Sequence, residues 1–410
     1  MSPWKPARFP VRVELNRSAL PAEVPYHFSL LPILNPDSFA AAEREIRAWP
    51  GYRPTELVAL PGLARAAGLG AIWYKDEGSR FGLGSFKALG GAYAVYRLLA
   101  DAVKSATGRE PSSQELMAGA HKDIVGKLTV CTATDGNHGR SVAWGARLFG
   151  CRAVIYIHAT VSEGRRAAIA RYGAEVRRVA GNYDDSVRQA ASDAAAHGWF
   201  VVSDTSYEGY REVPKTVMEG YGVMASELLG QLPAGRKPTH FFIQAGVGAL
   251  PAAMVAALWQ RLGIDRPYSV VVEPDRADCL YQSAVAGQPA KASGDLDTLM
   301  AGLAAGEVSL LAWEILARGA NAFITVPDEA AVSAMKALAE GVGGDRPVVG
   351  GEAGVGGLAG ALAAAADPAA AEKLGLGPHA RVLVIGSEGD TDPELYERIV
   401  GRSAAAVRAA

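Results

Sequence analysis

Short apolar runs alternate with longer helical patterns along most of this chain, and that alternation limits the fold more than any other feature. The runs are Ile72–Tyr74, Leu128–Thr132, Ala153–Ile157, Glu175–Val179, Phe200–Ser203, Phe241–Gln244, Val270–Glu273 and Val382–Ile385. They are rich in β-branched residues, which suits strands buried on both faces. Between them Val217, Tyr221, Met224 and Leu228 recur at helical spacing, as do Val142, Ala146 and Phe149. Strand–helix alternation predicts parallel sheets with crossover helices. The 410 residues are too many for one ordinary domain and allow two such sheets.

The first 65 residues are proline-rich and read as irregular, apart from a short helix over residues 38–49. Asp101–Lys127 is polar and reads as a surface loop and helix. Gly350–Ala371 is dominated by small residues, whose use is close helix packing, and Ser403–Ala410 reads as frayed. No repeat of solenoid length is present.

Composition removes several function classes. Lys plus Arg number 41 against 43 Asp plus Glu, a net charge of −2, so no basic surface for nucleic acid or membrane is expected. The three cysteines, Cys131, Cys151 and Cys279, form no C-x-x-C pair, so neither a disulfide framework nor a metal site is expected. No apolar run is long enough for a transmembrane helix, and the start lacks the pattern of a signal peptide. The expectation is a soluble, cytoplasmic protein.

Four segments stand where strands end and helices begin, the edge at which α/β proteins bind ligands. Lys87 closes the run from Ser79 to Lys87 and precedes a helical pattern. A positive charge at a helix start opposes the helix dipole. That suits an amine that must lose its proton and attack an aldehyde, although an isolated lysine is usually a solvated surface group. Thr134-Asp135-Gly136-Asn137-His138-Gly139 follows the second strand candidate. It would point Asp135 and Asn137 at the crevice, or form a plain Asx turn with a cap; His138 is read as packing.

Ala245-Gly246-Val247-Gly248-Ala249-Leu250 reads as a glycine-rich loop whose N–H groups, at a helix start, take a phosphate. It is neither G-x-G-x-x-G nor a P-loop, which favours a single phosphate. Ser387-Glu388-Gly389-Asp390-Thr391-Asp392 follows the last strand, with Thr391 or Asp392 as a helix cap. Asp204 lies in Ser203–Tyr210, a stretch that also reads as a turn.

Taken in order, these segments resemble fold type II pyridoxal-phosphate enzymes, the threonine dehydratase and tryptophan synthase β group. Tyr74–Tyr93, Ala133–Trp144, Ser203–Tyr210, Gln244–Leu250, Thr298–Glu307 and Ser387–Pro393 narrow the likeness to the diaminopropionate ammonia-lyase family. It runs from about residue 55 to about residue 400. One departure is Gly84-Ser85, where that family usually has Asn-Ala.

The resemblance implies two open, twisted α/β domains with pyridoxal 5'-phosphate in the cleft between them. Residues 1–65 would be an arm packing on the larger domain, 66–225 a smaller domain with the Schiff-base lysine, and 226–400 the larger domain with the phosphate loop. It implies Lys87 as the lysine that holds the cofactor and Asn137 as the partner of its ring hydroxyl. Gly246, Val247, Gly248, Ala249 and Leu250 would hold the phosphate. Ser387 would meet the pyridine nitrogen, with Thr391 as the alternative. Serine stands in ordinary dehydratases where this chain has Asp135, and a carboxylate there offers a second base.

The implied reaction is α,β-elimination of D- and L-2,3-diaminopropionate to pyruvate and two ammonia, with Lys87, Asp135 and Asp204 as catalytic residues. Bases on both faces of the substrate are needed to take a proton from both enantiomers. The alternatives are a serine or threonine dehydratase, a lyase for another β-substituted amino acid, and, more remotely, a non-catalytic cofactor-binding regulator. A dinucleotide oxidoreductase would carry G-x-G-x-x-G in its first βα unit, and none is there. The partner implied is a small amino acid, and the family's usual assembly is a homodimer.

Overall fold

A computed structural model describes residues 4–134 and 136–410. Backbone contacts divide the chain into two units. The first takes residues up to Asn35, Pro54–Ser79 and Met224–Ala410; the second takes Pro36–Arg53 and Arg80–Val223.

The strands, in chain order, are β1 (Arg12–Leu15), β2 (Glu56–Ala59), β3 (Ala71–Asp76), β4 (Thr129–Ala133), β5 (Arg152–His158), β6 (Glu175–Val179), β7 (Phe200–Val201), β8 (His240–Gln244), β9 (Tyr268–Pro274), β10 (Ala322–Val326) and β11 (Arg381–Gly386). The first unit holds a seven-stranded sheet in the order β1-β10-β9-β8-β11-β3-β2. The second holds a four-stranded sheet in the order β6-β5-β4-β7, parallel throughout.

In the larger sheet β10, β9, β8, β11 and β3 run parallel. Every residue of β8 and β10 is buried. The two edge strands are antiparallel: β1 on β10 and β2 on β3. Both lie in the segment read as irregular. Their short, partly exposed pattern reflects an edge, and it carries a weaker signal than a buried run.

Two other readings change with the structure. Ser403–Ala410 is not frayed, because Ala404–Arg408 is helical with Ala404 and Val407 buried. The expected boundary near residue 65 also shifts. β3 pairs with β11 and so stands in the first unit, whereas the helix Pro36–Arg47 stands in the second. Chain order does not reveal such exchanges, because they rest on pairings between distant segments. The second boundary falls between Val223 and Met224, inside one helix, Glu212–Gln231.

Lys87 opens the helix Lys87–Thr107. Two consecutive glycines clamp that helix within the second unit. A Cβ on Gly91 would run into the Ser141 hydroxyl of the helix Asn137–Phe149, and one on Gly145 would lie 2.8 Å from Ala92 Cα. On the other side a Cβ on Gly90 would lie 2.7 Å from the Val217 carbonyl, and one on Gly220 would collide with the Leu89 carbonyl. Side chains are excluded at these glycines because neighbouring backbone or buried side chains already fill the space. The pair Gly90-Gly91 therefore sets where the first turn, and Lys87, can stand.

A valine at Gly90 should destabilise the protein by about 1–3 kcal/mol through overpacking. Urea unfolding of the Gly90→Val variant measures it, and an unchanged midpoint would contradict the clamp.

Candidate functional site

The second unit brings Lys87 and Asp204 together. Lys87 Nζ is ion-paired and hydrogen-bonded to Asp204 Oδ2. About a fifth of the Lys87 side chain and a sixth of Asp204 remain exposed (21% and 16%). Burial is the strongest single influence on the amine and works to lower its pKa. The Asp204 charge and hydrogen bond, helped by Tyr221 and Tyr183, outweigh it, so the net direction is upward. Burial likewise pushes the Asp204 carboxyl upward, but Lys87 and His138 bring it well below the ordinary range. The pair is a charged ammonium–carboxylate couple at a helix start, where the dipole alone would disfavour the ammonium.

Two further buried side chains, His138 and Tyr221, stand in the same electrostatic field. His138 Nε2 lies 2.9 Å from the Val202 carbonyl, so that nitrogen carries the proton. Its Nδ1 is buried and has no hydrogen-bond partner among the described residues. Burial pulls the imidazole below the ordinary histidine pKa. The buried Tyr221 packs its ring 4.7 Å from Phe86, and burial pushes its phenol up. The sequence reading passed over Tyr221 as a helix-face residue and His138 as packing. A helical stripe does not say which member faces an amine.

Thr134 organises the turn that follows β4. Its hydroxyl accepts from the N–H groups of Gly136 and Gly139, both at 3.0 Å, and so caps the helix start. Asn137 opens that helix, and its Oδ1 accepts from Arg140 Nη2 at 2.6 Å. Asp135 lies outside the described residues. Gly84, at the departure from the family pattern, has φ +76°, a left-handed conformation open to glycine and to asparagine.

In the first unit the loop Ala245–Gly248 joins β8 to the helix Ala249–Leu262. Gly248 takes φ +100°, which a side chain would strain. The N–H groups of Gly246, Val247, Gly248, Ala249 and Leu250 have no protein acceptor among the described residues. The loop's carbonyl side is occupied: Val247 O accepts from Ser309 N–H at 2.9 Å. Five donors around a glycine turn and a helix start form an anion cradle.

Beside that loop, Ser387 is buried and its Oγ accepts from Gln244 Nε2 at 2.7 Å. Thr391 donates its hydroxyl hydrogen to Glu388 Oε2 at 3.1 Å. Asp392 is the helix cap, accepting from Leu395 N–H at 3.1 Å with Pro393 next. Glu273, one residue before the end of β9, accepts from the N–H groups of Leu280 and Tyr281 at 2.8 and 2.7 Å. Burial pushes its carboxyl up to about 8. Gln244 and Glu273 are polar residues of this region that sequence reasoning missed. Gln244 closes its strand and Glu273 stands one residue before the end of its own, and a single polar residue there carries no periodic signal.

Removing the Asp204 charge should leave burial unopposed and lower the Lys87 pKa. The sign follows from the pair. The stabilisation held by Lys87, whose pKa is raised, is present below the ordinary lysine pKa and lost as pH rises through the raised value. The share held by Asp204, whose pKa is lowered, is present above the ordinary aspartate pKa and lost on acidification. In Asp204→Asn, amine-directed labelling of the apoprotein followed by peptide mass spectrometry should modify Lys87 faster at mildly alkaline pH than in wild type. Equal labelling would contradict the pairing.

Comparison with known proteins agrees with this chemistry. The family model described as pyridoxal-phosphate dependent enzyme matches residues 48–388. Diaminopropionate ammonia-lyase of Escherichia coli K12 is 43% identical over 356 residues, which is 85% of this chain and 88% of that relative. The crystal structure of the selenomethionine-incorporated holo form of that lyase from E. coli superposes with a TM-score of 0.87 at 38% identity. It covers 96% of this chain and 97% of the other. The processed threonine deaminase isoform 2 of Solanum lycopersicum, at 20% identity and TM-score 0.70, shares the fold over 96% of this chain and 98% of its own. The chain has the α/β fold of type II enzymes, and it belongs to the pyridoxal-phosphate dependent enzymes, among the relatives of diaminopropionate ammonia-lyase.

Proposed function

We propose that this enzyme is a carbon–nitrogen lyase that eliminates ammonia from 2,3-diaminopropionate, accepting both the D and L enantiomers, and yields pyruvate and two ammonia. The observation that carries the reading is the 43% identity, spread over 85% of the chain, to a diaminopropionate ammonia-lyase. The Lys87–Asp204 couple supports it from the structure.

The residues present fit pyridoxal phosphate. Lys87 offers a partly exposed primary amine, and the loop Gly246–Leu250 offers five N–H donors that no group among the described residues accepts. In this reading Lys87 holds the cofactor, Gly246, Val247, Gly248, Ala249 and Leu250 take its phosphate, Asn137 meets its ring hydroxyl and Ser387 its ring nitrogen. The bound cofactor supplies an electron sink for the charge left at the substrate α-carbon.

The chain's own groups then move protons. Lys87 Nζ takes the α-proton of one enantiomer, and Asp135 takes that of the other. The β-amino group leaves well only as an ammonium, and Asp204 is the carboxylate assigned to hold it. A positioned acid or base of this kind contributes roughly 10²–10⁴-fold. The enamine released by elimination hydrolyses to pyruvate and the second ammonia. We also assign the protein to the cytoplasm as a homodimer, the usual assembly of the family it resembles. Among the described residues no helix is long and apolar enough to cross a membrane.

The test measures ammonia and pyruvate from D- and L-2,3-diaminopropionate, D- and L-serine and L-threonine, with pyridoxal phosphate supplied. Two ammonia per pyruvate from both diaminopropionate enantiomers is expected, with Lys87→Ala inactive. Asp135→Asn should lose one enantiomer selectively, by roughly 10²–10⁴-fold. Turnover of serine or threonine alone, at one ammonia per keto acid, would make the protein a dehydratase instead. Light scattering during size-exclusion chromatography tests the dimer.

A further inference from the structure

Gln244 is the last residue of β8, next to the phosphate-type loop, and it is buried. Its two Nε2 hydrogens face three acceptors, Ser387 Oγ at 2.7 Å and the carbonyls of Gly354 and Ile385, both at 3.0 Å, so one hydrogen is shared. Its Oε1 accepts from Gly357 N–H at 3.2 Å, at the start of the helix Gly356–Ala366. The amide cannot be flipped, because the two carbonyls need a donor and the Gly357 N–H needs an acceptor. Nearby backbone is shaped around it. A Cβ on Gly356 would lie 2.8 Å from Gln244 Cβ, and one on Gly357 would lie 3.0 Å from Oε1.

The consequence falls on two hydroxyls that the sequence left as alternatives. Ser387 Oγ accepts from Gln244, so its own hydrogen remains to be donated, and among the described residues nothing accepts it. Thr391 is set the other way, because its hydrogen goes to the Glu388 carboxylate at 3.1 Å.

We propose that Gln244 is a positioning residue for the cofactor: by holding Ser387 Oγ as an acceptor it keeps the Ser387 hydrogen available to the pyridine nitrogen, a role from which Glu388 withholds Thr391. The proposal rests on the assignment of Ser387 made above and deepens it. A neutral donor leaves that nitrogen largely unprotonated, which suits elimination over transamination. Without the amide, the Ser387 hydroxyl is free to turn and donate to the carbonyls that Gln244 now satisfies.

The experiment compares wild type, Gln244→Met, Gln244→Glu, Ser387→Ala and the double variant Gln244→Met/Ser387→Ala, each loaded with pyridoxal phosphate. Cofactor affinity, the pH dependence of the bound cofactor's visible absorbance and the melting temperature are read. Gln244→Met and Ser387→Ala should each weaken the cofactor roughly ten-fold, the effect of one hydrogen bond. Both should change the absorbance profile in the same way, and the double variant should be no worse than either, as expected of residues acting through one contact.

Gln244→Glu keeps the shape of the side chain. Once ionised it can only accept, so it should reproduce the profile of Ser387→Ala even where Gln244→Met does not fold. Additive losses would overturn the proposal. So would Gln244 variants that melt earlier but bind and colour the cofactor as wild type does, since the amide would then only brace the backbone. A silent Ser387→Ala would remove the assignment of Ser387, and this proposal with it. A wild-type protein that takes up no cofactor would instead refute the proposed function.

Discussion

An ammonium group at the first turn of a helix stands against the partial positive charge of that turn, so it needs a carboxylate beside it. Asp204 is that carboxylate, and much of the second unit serves the pairing. The helix that carries Lys87 is held closely on both flanks, at Gly90 against Val217 and Tyr221 and at Gly91 against the Ser141 side chain. Asp204 follows β7, which pairs with β4, and the turn after β4 is capped by Thr134. The amine thus stands at the start of a closely packed helix, and the carboxylate in the turn that follows β7.

The first unit solves a different problem with neutral groups. Its loop presents five N–H donors without a protein acceptor among the described residues, and the side chain bonded to both the neighbouring strand end and the terminal polar segment is an uncharged amide, Gln244. A buried charge at that position would need a partner of its own. An amide can meet an N–H with its oxygen and share its two hydrogens among the carbonyls and a hydroxyl, and its nitrogen accepts nothing, which leaves the hydroxyl with a defined polarity. Glu273 shows the contrast. Buried and capped by two N–H groups, its carboxyl is pushed up to about 8, so it is neutral over much of the range in which the amide is always neutral.

Several features were legible before any coordinates. The eight runs all overlap strands; in six the burial of both faces leaves little room for polar residues, whereas β6 and β7 are partly exposed. A cap at Thr391 or Asp392 was recognisable from their place before a proline and a helical pattern, and Asp392 is the one that serves. The edge strands β1 and β2 were not legible: partly exposed, four residues long and paired with segments far away, they leave no periodic mark. Gln244 was invisible for a related reason. A single glutamine at the end of an apolar run has no spacing to announce it, and its partners, Gly354, Ile385 and Ser387, lie more than a hundred residues away.

By itself the sequence determined the class of fold, the chemistry of the loops and the residue types able to carry it, because hydrophobic period, glycine and proline placement and capping residues act locally. Tertiary structure decided which of those groups meet. It set Lys87 against Asp204, turned Thr391 toward Glu388 and Ser387 toward Gln244, and placed β3 in the sheet of the first unit. Those outcomes depend on pairings across long stretches of chain, where a hydrogen bond's direction follows from whichever donor and acceptor the packing brings within 3 Å or so.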